Sequence, residues 1–353
     1  MFRLRTFAFF ITSAALLAIG RAQVVYQVTD LGVLSGDNTS GALALNASGQ
    51  IVGFSENNVT PADHAFIWSP LGGMQSLGTL NSDPSSIARG INNNGDVAGF
   101  SADNVFNPVP LGHAFEWNAA SGLQPITPLS GDTYNTAMAI NDHGDITGAS
   151  YGAGITHAYL MTRHGFFKPA VVQDISYPGV DTFPRAINQR AQVAGWLGGS
   201  VKQAFLWDQH GGYTLIPHIA GFYERAFGLN NASQVVGQFS DGTTLKPFFW
   251  SNRTGAIDLG LLPGTDHGVA TAINDLGVVV GWCADSGNNY PRAFMWTAAG
   301  GMQDLNNSLA PSTAAGTVWR DAQAIDINGN IVGSITLPNG GIDAALFTAT
   351  GAQ

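Results

Sequence analysis

The sequence predicts an all-β fold, and three observations lead to that prediction. Gly accounts for 45 of the 353 residues, about twice its usual share. Only 11% of the residues are charged, and Glu and Lys, which suit exposed helix faces, occur three times each. Short runs of β-branched and aromatic residues alternate with turn residues, and one such pattern recurs seven times. The chain is therefore expected to be a repeat protein built from strands.

Each repeat is centred on an Asn or Asp that is followed seven residues later by Gly. The seven pairs are Asn46 and Gly53, Asn92 and Gly99, Asn141 and Gly148, Asn188 and Gly195, Asn230 and Gly237, Asn274 and Gly281, and Asp326 and Gly333. Successive centres lie 46, 49, 47, 42, 44 and 52 residues apart. Where the centre reads Asn-x-x-Gly, the Asn side chain can cap a tight turn and the Gly accepts a positive φ. The centre therefore predicts a β-hairpin.

Two further elements complete each repeat. An alternating aromatic segment follows each centre, at His64–Trp68, His113–Trp117, His157–Met161, Gln203–Trp207, Lys246–Trp250, Arg292–Trp296 and Asp343–Phe347. A short apolar segment comes next, and the first repeat thus predicts strands A to D at Gly41–Asn46, Gln50–Ser55, His64–Trp68 and Met74–Gly78. Four strands in a unit of about 46 residues are typical of one blade of a β-propeller.

The His-Ala-Phe element, intact at His64 and His113, and the Ile-Asn-x-x-Gly centre together resemble the HAF-repeat family of extracellular bacterial repeat proteins. The resemblance covers nearly all of the chain after its N-terminal segment. Four repeats depart from it, with Gln203, Lys246, Arg292 and Asp343 in place of the His. The resemblance implies an exported repeat protein, and because the family is defined by sequence more than by activity, it implies no reaction.

The two ends of the chain predict that the array closes into a ring. Val24–Leu31 reads as a lone strand D, whereas the chain ends after a seventh strand C. Pairing of Val24–Leu31 with Ala344–Phe347 would complete the last blade and remove an open sheet edge. Residues 23–353 are therefore expected to form a single seven-bladed β-propeller of four-stranded blades. A solenoid is the structural alternative, but it requires capping ends, which the sequence does not offer.

Residues 1–22 have the features of a signal peptide. Arg3 and Arg5 precede an apolar run, Phe7–Ile19, and the small residues Gly20 and Ala22 suit cleavage after Ala22. The run is too short to span a bilayer of about 30 Å. Cleavage would change the net charge from −10 to −13 by removing three arginines, which disfavours nucleic acid as a partner. We expect a secreted protein without a membrane span.

Recurrent histidines and acidic turns do not predict a metal site. His64, His113 and His157 occupy equivalent positions on neighbouring blades, about 10 Å apart, whereas a metal ion needs ligands at about 2 Å. The turns Asn141–Asp145 and Asp326–Asn330 resemble calcium loops but lack the glycine and glutamate that an EF-hand requires. The histidines are therefore assigned a structural role, and no metal or cofactor is predicted.

The loops between strands D and A differ most between repeats, and they are expected to emerge on one face near the channel mouth. The candidate ligand-binding residues in these loops are Tyr134, Asp181, Tyr223, Glu224, Arg225, Asp266, His267, Trp319 and Arg320. Aromatic side chains together with arginines and carboxylates suit a polar, glycan-like ligand. The alternative is ordinary solvated loops in which Arg–carboxylate pairs bridge the blades.

These features favour an exported binding or interaction module for an extracellular carbohydrate or protein. A second hypothesis is a carbohydrate-active enzyme, either a polysaccharide lyase or a glycosidase, that uses the same face. In that case His267 or Tyr223 would act as general base and Arg225 or Arg320 would neutralise a substrate carboxylate. A third hypothesis is a structural component of the cell envelope or matrix. The sequence assigns no catalytic residue.

Overall fold

The computed structural model describes residues 24–59, 62–80, 83–106, 111–152, 154–163, 170–200, 202–219, 223–287 and 291–350. Within these ranges the chain forms 28 β-strands and one short 3-10 helix, η1 (Leu305–Ser308), and no α-helix. The fold is therefore all-β, as predicted. None of the described helical structure has the length and apolar character needed to cross a membrane. The predicted signal peptide, residues 1–22, lies outside the described residues.

The strands follow the repeats in groups of four. After β1 (Val25–Gly32), the first three groups are β2 (Thr39–Leu45), β3 (Ile51–Glu56), β4 (Asp63–Ser69) and β5 (Gly73–Ser76); β6 (Ser85–Ile91), β7 (Val97–Ala102), β8 (Gly112–Asn118) and β9 (Gly122–Pro125); β10 (Asp132–Ile140), β11 (Ile146–Gly152), β12 (His157–Thr162) and β13 (Val171–Asp174). The next three are β14 (Thr182–Ile187), β15 (Val193–Leu197), β16 (Gln203–Asp208) and β17 (Gly212–Leu215); β18 (Tyr223–Leu229), β19 (Val235–Ser240), β20 (Leu245–Ser251) and β21 (Gly255–Asp258); β22 (His267–Ile273), β23 (Val279–Ala284), β24 (Arg292–Thr297) and β25 (Gly301–Asp304). The last repeat has β26 (Val318–Ile325), β27 (Ile331–Thr336) and β28 (Ile342–Thr350).

These strands form six sheets, whereas seven separate ones were expected. Repeats 2 to 6 each form a four-stranded antiparallel sheet in chain order, like the blade of a propeller. The remaining eight strands form one sheet in which β1 pairs with β28 and the strands of repeats 1 and 7 are joined. The junction is a single parallel bridge between Thr39 and Ile342. β1 runs antiparallel to β28, from Val25 opposite Thr350 to Gly32 opposite Ala344.

The hydrophobic core lies between successive repeats. One cluster, for example, packs Val52 and Ile67 of the first repeat against Ile91, Val97 and Phe115 of the second. The central aromatic residue of the third strand is fully buried in such a layer in six repeats; these residues are Phe66, Phe115, Tyr159, Phe205, Phe248 and Phe294. In the last repeat Ala345 stands at this position, and the buried aromatic residue is Phe347. At one position of the first strand, six repeats have a fully buried alanine equivalent to Ala42, and the fourth repeat has the buried Pro184.

Every first strand contains a β-bulge. The bulge explains why a Gly lies seven residues after the Asn or Asp of each repeat centre. The register of β10 with β11 shifts between Ala137 and Ala139, and corresponding shifts occur in the other six repeats. The bulge brings a carbonyl oxygen close to the second strand. A Cβ atom at Gly148 would lie 1.8 Å from the oxygen of Thr136, and one at Gly53 would lie 2.0 Å from that of Gly41. Only glycine fits such an approach.

The Asn of the repeat centre links one repeat to the next. Each of the six Asn side chains donates from Nδ2 to the carbonyl oxygen of the next centre, at 3.0–3.1 Å. The Oδ1 atom of Asn141, for example, accepts from the backbone N–H of His143 and Asp145, which closes the turn. In the seventh repeat Asp326 has no such donor and accepts instead from Asn330 Nδ2 at 2.8 Å. We call this series the Asn ladder.

Candidate functional site

The bulges of four consecutive repeats direct side chains into one cavity. The extra residues at these bulges are Arg89, Met138, Arg185 and Phe227, and all four line a cavity of about 370 Å³. In each repeat this residue lies three positions before the Asn or Asp of the centre. The remaining repeats have Leu43, Thr271 and Gln323 there. The repeated backbone therefore supplies a fixed position, and the residue type at that position varies.

The cavity has aromatic walls and a set of cationic side chains. Its aromatic lining residues are Phe100, Tyr151, Phe183, Trp196 and Phe227, and its cationic ones are Arg89, Arg185, Lys202 and Arg225. Thr136 contributes a hydroxyl group. The described lining includes no carboxylate, imidazole or thiol. This composition contrasts with the chain as a whole, which carries a net charge of −10.

Aromatic rings hold the three guanidinium groups in place. The Cζ atoms of Arg185 and Arg225 lie 5.0 and 5.4 Å from the ring centroid of Trp196. The Cζ atom of Arg89 lies 5.8 Å from the ring centroid of Phe100. Trp196 is itself stacked on Phe183, with ring centroids 5.4 Å apart. Because arginine packs on aromatic faces through cation–π contacts, its position is set without an acidic partner.

The cavity arginines form no ion pair with a described residue. Within the described ranges, the arginine ion pairs join Arg163 to Glu116 and Arg292 to Asp304, and neither pair involves a cavity residue. Two buried polar atoms of the lining also have no hydrogen-bond partner among the described residues: Nε of Arg89 and Nε of Arg225. A buried polar group without a partner costs about 1–3 kcal/mol. The two N–H groups therefore have hydrogen-bonding capacity that the described residues do not use.

Burial and mutual repulsion act on the cavity cations. Burial, together with the positive charge of Arg185, lowers the pKa of Arg89 to about 9, while the carboxylate of Asp63 acts in the opposite direction. Burial likewise lowers the pKa of Arg185 to about 10, with Arg225 contributing in the same direction and Tyr151 opposing it. Both pKa values remain above neutral pH, so the side chains are charged. The cavity therefore holds a cluster of positive charges that Asp63 offsets only in part.

Among the nine candidate residues from the loops, Arg225 lines this cavity. Tyr223 lies beside it, with its ring centroid 5.6 Å from the Cζ atom of Arg225. Glu224 is fully buried between them in the strand and pairs with Nδ1 of His218. It also accepts from the backbone N–H of Ile219 at 3.1 Å, and burial raises its pKa. Glu224 therefore fixes the start of β18, from which Arg225 projects.

Five other candidate residues take part in local contacts outside the cavity lining. Asp266 Oδ1 lies 2.9 Å from His267 Nδ1, and the His267 ring packs edge-on against Trp282. Tyr134 packs edge-on against His113.

Asp181 Oδ1 accepts from the backbone N–H of Thr156 at 2.6 Å. Arg320 Nη1 donates to Thr336 Oγ1 at 3.2 Å. The structure thus distributes these side chains over several repeats and does not gather them into the 370 Å³ cavity.

Trp319 is part of the core, which corrects the expectation that it presents an aromatic surface on the loop face. Its side chain is 0% exposed. The ring stacks on Phe347 with centroids 3.4 Å apart, and it packs edge-on against Tyr26. Its Nε1–H donates to the carbonyl oxygen of Asp321 at 2.9 Å. Trp319 therefore packs β26 against β28 and β1.

The repeated histidines pair with aspartates of their own repeats. Nδ1 of His64, His113 and His157 lies 3.2, 2.9 and 3.0 Å from a carboxylate oxygen of Asp37, Asp83 and Asp132, respectively. Where the repeat has Lys246 or Arg292 instead, that cation pairs with Asp241 or Asp304. This is the structural hydrogen bonding predicted from the spacing. The described residues contain no group of three or more His, Cys, Asp or Glu side chains that could hold a metal ion.

Sequence reasoning missed most of the cavity. The D-to-A loops, which contain the nine predicted residues, do not include Arg89, Tyr151, Trp196 or Lys202. One usable signal was present, because the residue three positions before each centre changes from repeat to repeat while its neighbours stay small. The bulge that turns this residue toward the cavity, however, is a property of the paired strands.

No protein-family model matches the chain, and no curated protein matches it. Among solved structures it is similar to virginiamycin B lyase from Staphylococcus aureus, with 12% identity, a TM-score of 0.56, and coverage of 92% of this chain and 99% of that one. A puromycin hydrolase shows 12% identity and a TM-score of 0.54, with coverage of 91% of this chain and 54% of the other. The extracellular domain of a one-component system from B. thetaiotaomicron shows 11% identity and a TM-score of 0.52, with coverage of 92% and 40%. These structures are β-propellers, and the likeness shows that this chain has a β-propeller type of fold.

Proposed function

We propose that this chain is an exported β-propeller that acts as a binding module and that it binds a small acidic ligand, such as a sugar acid, in the cavity of repeats 2 to 5. One observation carries the proposal: Arg89, Arg185 and Arg225 share an aromatic-walled cavity, and none of them forms an ion pair with a described residue. The volume of about 370 Å³ falls in the usual range for small-molecule pockets. Unpaired buried cations destabilise a protein, so a purely structural role does not account for them.

The lining favours binding over catalysis. A general base at neutral pH needs a carboxylate, an imidazole or a similar group within reach of the substrate, and the described lining offers none. Burial raises the pKa of Tyr151, so its phenol stays protonated. His267, the base considered for a lyase, is held by Asp266 and Trp282 and does not line the cavity. The binding module is therefore preferred to the lyase or glycosidase.

Binding can be tested by isothermal titration calorimetry of the purified chain with galacturonate and with neutral galactose. We expect the acid to bind and Arg225→Gln to weaken that binding at least tenfold, because the variant removes a cation and an unpaired Nε donor. Arg253→Gln is the matched control, since Arg253 is exposed and lies outside the cavity. Equal affinities of the two variants would contradict the proposed site.

We further propose that the eight-stranded sheet consists of two blades and that the propeller has seven blades in a closed ring. Ala344 N donates to Ser40 Oγ at 2.8 Å, just as Ala65 N donates to Ser86 Oγ at 2.9 Å. The last repeat therefore contacts the first as the first contacts the second, and β26 also packs against β2.

The closure can be tested with a Gln27→Cys/Thr348→Cys variant, because these two residues lie opposite each other in the β1–β28 pair. Spontaneous disulfide formation on oxidation, with a Tm that falls on reduction, is expected. Failure of the two cysteines to cross-link in the folded chain would contradict this pairing.

Membership of the HAF-repeat family and export are parts of the same proposal. They rest on the recurrent His-Ala-Phe elements and on the apolar segment Phe7–Ile19. Expression in a bacterium followed by N-terminal sequencing of the exported protein should give a chain that begins at Gln23. A chain that stays in the cytoplasm and retains Met1 would contradict export.

A further inference from the structure

We infer that the ligand of this cavity carries at least two anionic groups, carboxylate or phosphate, and that Arg89 holds one of them while Arg185 and Arg225 hold the other. The inference rests on the proposed function and specifies its ligand class. It is carried by where the cations lie in the cavity, by their number and by the absence of acidic groups from the described lining.

The number of charges exceeds what one anionic group can neutralise. Four cations line the cavity, and Lys202, like the three arginines, forms no ion pair with a described residue. Like charges held at close range disfavour one another. The charge of Arg185 acts on Arg89, where the carboxylate of Asp63 offsets part of it, and the charge of Arg225 acts on Arg185. A ligand with a single negative charge would leave most of this repulsion in place, whereas a polyanion would relieve it.

The cations form two groups separated by a neutral repeat. Arg89 lies on β6 over Phe100, whereas Arg185 and Arg225, on β14 and β18, lie on Trp196. Repeat 3 stands between these groups and contributes Thr136, Met138, Ala149 and Tyr151 to the lining. The ligand is therefore expected to have an uncharged middle part between its anionic groups.

Hydrogen-bonding groups lie in both cationic groups of the cavity and in the neutral repeat between them. Nε of Arg89 and Nε of Arg225 are buried without a partner, one in each cationic group. An Nε–H with a neighbouring Nη–H forms the two-pronged donor that binds a carboxylate or phosphate through two oxygens. Thr136 and Tyr151 contribute hydroxyl groups to the lining from the neutral repeat, where they can bond a hydroxyl of the ligand. Two uronic acid units joined by a glycosidic bond have this layout.

Calorimetric titration with matched probes tests the inference. Digalacturonate carries two carboxylates, its dimethyl ester has nearly the same shape without the charges, and galacturonate carries one carboxylate. Fructose 1,6-bisphosphate, whose two phosphates flank a neutral sugar, and fructose 6-phosphate form the corresponding phosphate arm. We expect at least one of the two probes with two anionic groups, here called dianionic probes, to bind ten times more tightly than its single-group counterpart, the ester not to bind, and the preference to weaken with added salt. The arm with the tighter complex identifies carboxylate or phosphate as the recognised group.

Arg89→Gln should reduce the preference for the dianionic probe over galacturonate from tenfold to less than threefold, whereas Arg89→Lys should retain part of the preference and the exposed control Arg253→Gln all of it. The Tm of each variant establishes that it is folded. If neither dianionic probe is preferred, or if Arg89→Gln keeps the preference, the inference is wrong while the proposed function stands on the binding of galacturonate. If no acidic probe binds to the folded wild-type chain, both are wrong.

Discussion

Replacing Asn230 by Asp tests whether the Asn ladder stabilises the fold. Asn230 is 2% exposed, and its Nδ2 donates to the carbonyl oxygen of Asn274 at 3.0 Å and to Gln234 Oε1 at 2.7 Å. An aspartate has nearly the same shape, and its Oδ1 atom would still accept the backbone N–H groups of the turn. The ionised side chain has no donor, however, so the link to the next repeat would be lost.

The expected cost follows from that lost link. The carbonyl oxygen of Asn274 would face a carboxylate in place of a donor, and an unsatisfied buried polar group costs about 1–3 kcal/mol. The amide of Gln234 can rotate to donate to the new carboxylate, so this second contact survives. We therefore expect Asn230→Asp to lower the free energy of unfolding by about 2 kcal/mol, which corresponds to a few degrees in Tm for a chain of this size.

The chain supplies a matched control in the seventh repeat. Asp326 makes no side-chain donation to another repeat, so Asp326→Asn changes the same two residue types in the opposite direction without removing a link. Its Tm should equal or exceed that of the wild-type chain. Both variants can be measured by calorimetry and by urea unfolding followed by tryptophan fluorescence. An unchanged Tm for Asn230→Asp, or an equal loss for Asp326→Asn, would refute the role of the ladder.

Three further substitutions test other contacts. Ala191 has a φ of 55° where five repeats have glycine, so Ala191→Gly should stabilise the fold by about 0.5 kcal/mol; a lower Tm would contradict this. Trp319→Ala should lower the free energy of unfolding by about 3–5 kcal/mol, since the buried ring stacks on Phe347. A decrease of less than about 1 kcal/mol in urea unfolding would count against that packing. Burial and the neighbouring Asp30 raise the pKa of Asp343 to about 6. The folded chain therefore keeps a proton that the unfolded chain loses between about pH 4 and 6, and stability falls as pH rises through that window; Asp343→Asn should flatten the Tm profile there, and an unchanged profile would exclude this cause.

The repeat centre could be predicted because its causes are local. The Asn and Gly of a centre act within one hairpin: Gly49 has a φ of 74°, and the Asn46 side chain caps the same turn. The predicted strand Gly41–Asn46 accordingly matches β2, at Thr39–Leu45, to within two residues. The His64–Asp37 contact also lies within a single repeat. Patterns that depend on near neighbours recur at fixed offsets, and so they can be recognised in the sequence.

The candidate site could be predicted only in part, because burial and convergence depend on how the repeats pack. Arg225 was selected from the sequence, whereas Arg89, 136 positions earlier in the chain, was not, although both line one cavity. Trp319 occupies a variable loop in the sequence, yet its ring is buried against Phe347. Nothing within a few residues of either position shows which distant strand it will meet.

The order of strands, the hairpin at each centre and the small residues of the first strands follow from the amino-acid sequence by itself. They follow because propensity and turn chemistry act over a few residues. The tertiary structure alone decided which side chains share the cavity. A bulge formed by strand pairing turns one residue per repeat toward its neighbours, and the packing of four repeats places Arg89, Arg185 and Arg225 around a common space. That convergence is a property of the assembled repeats, and no single repeat contains it.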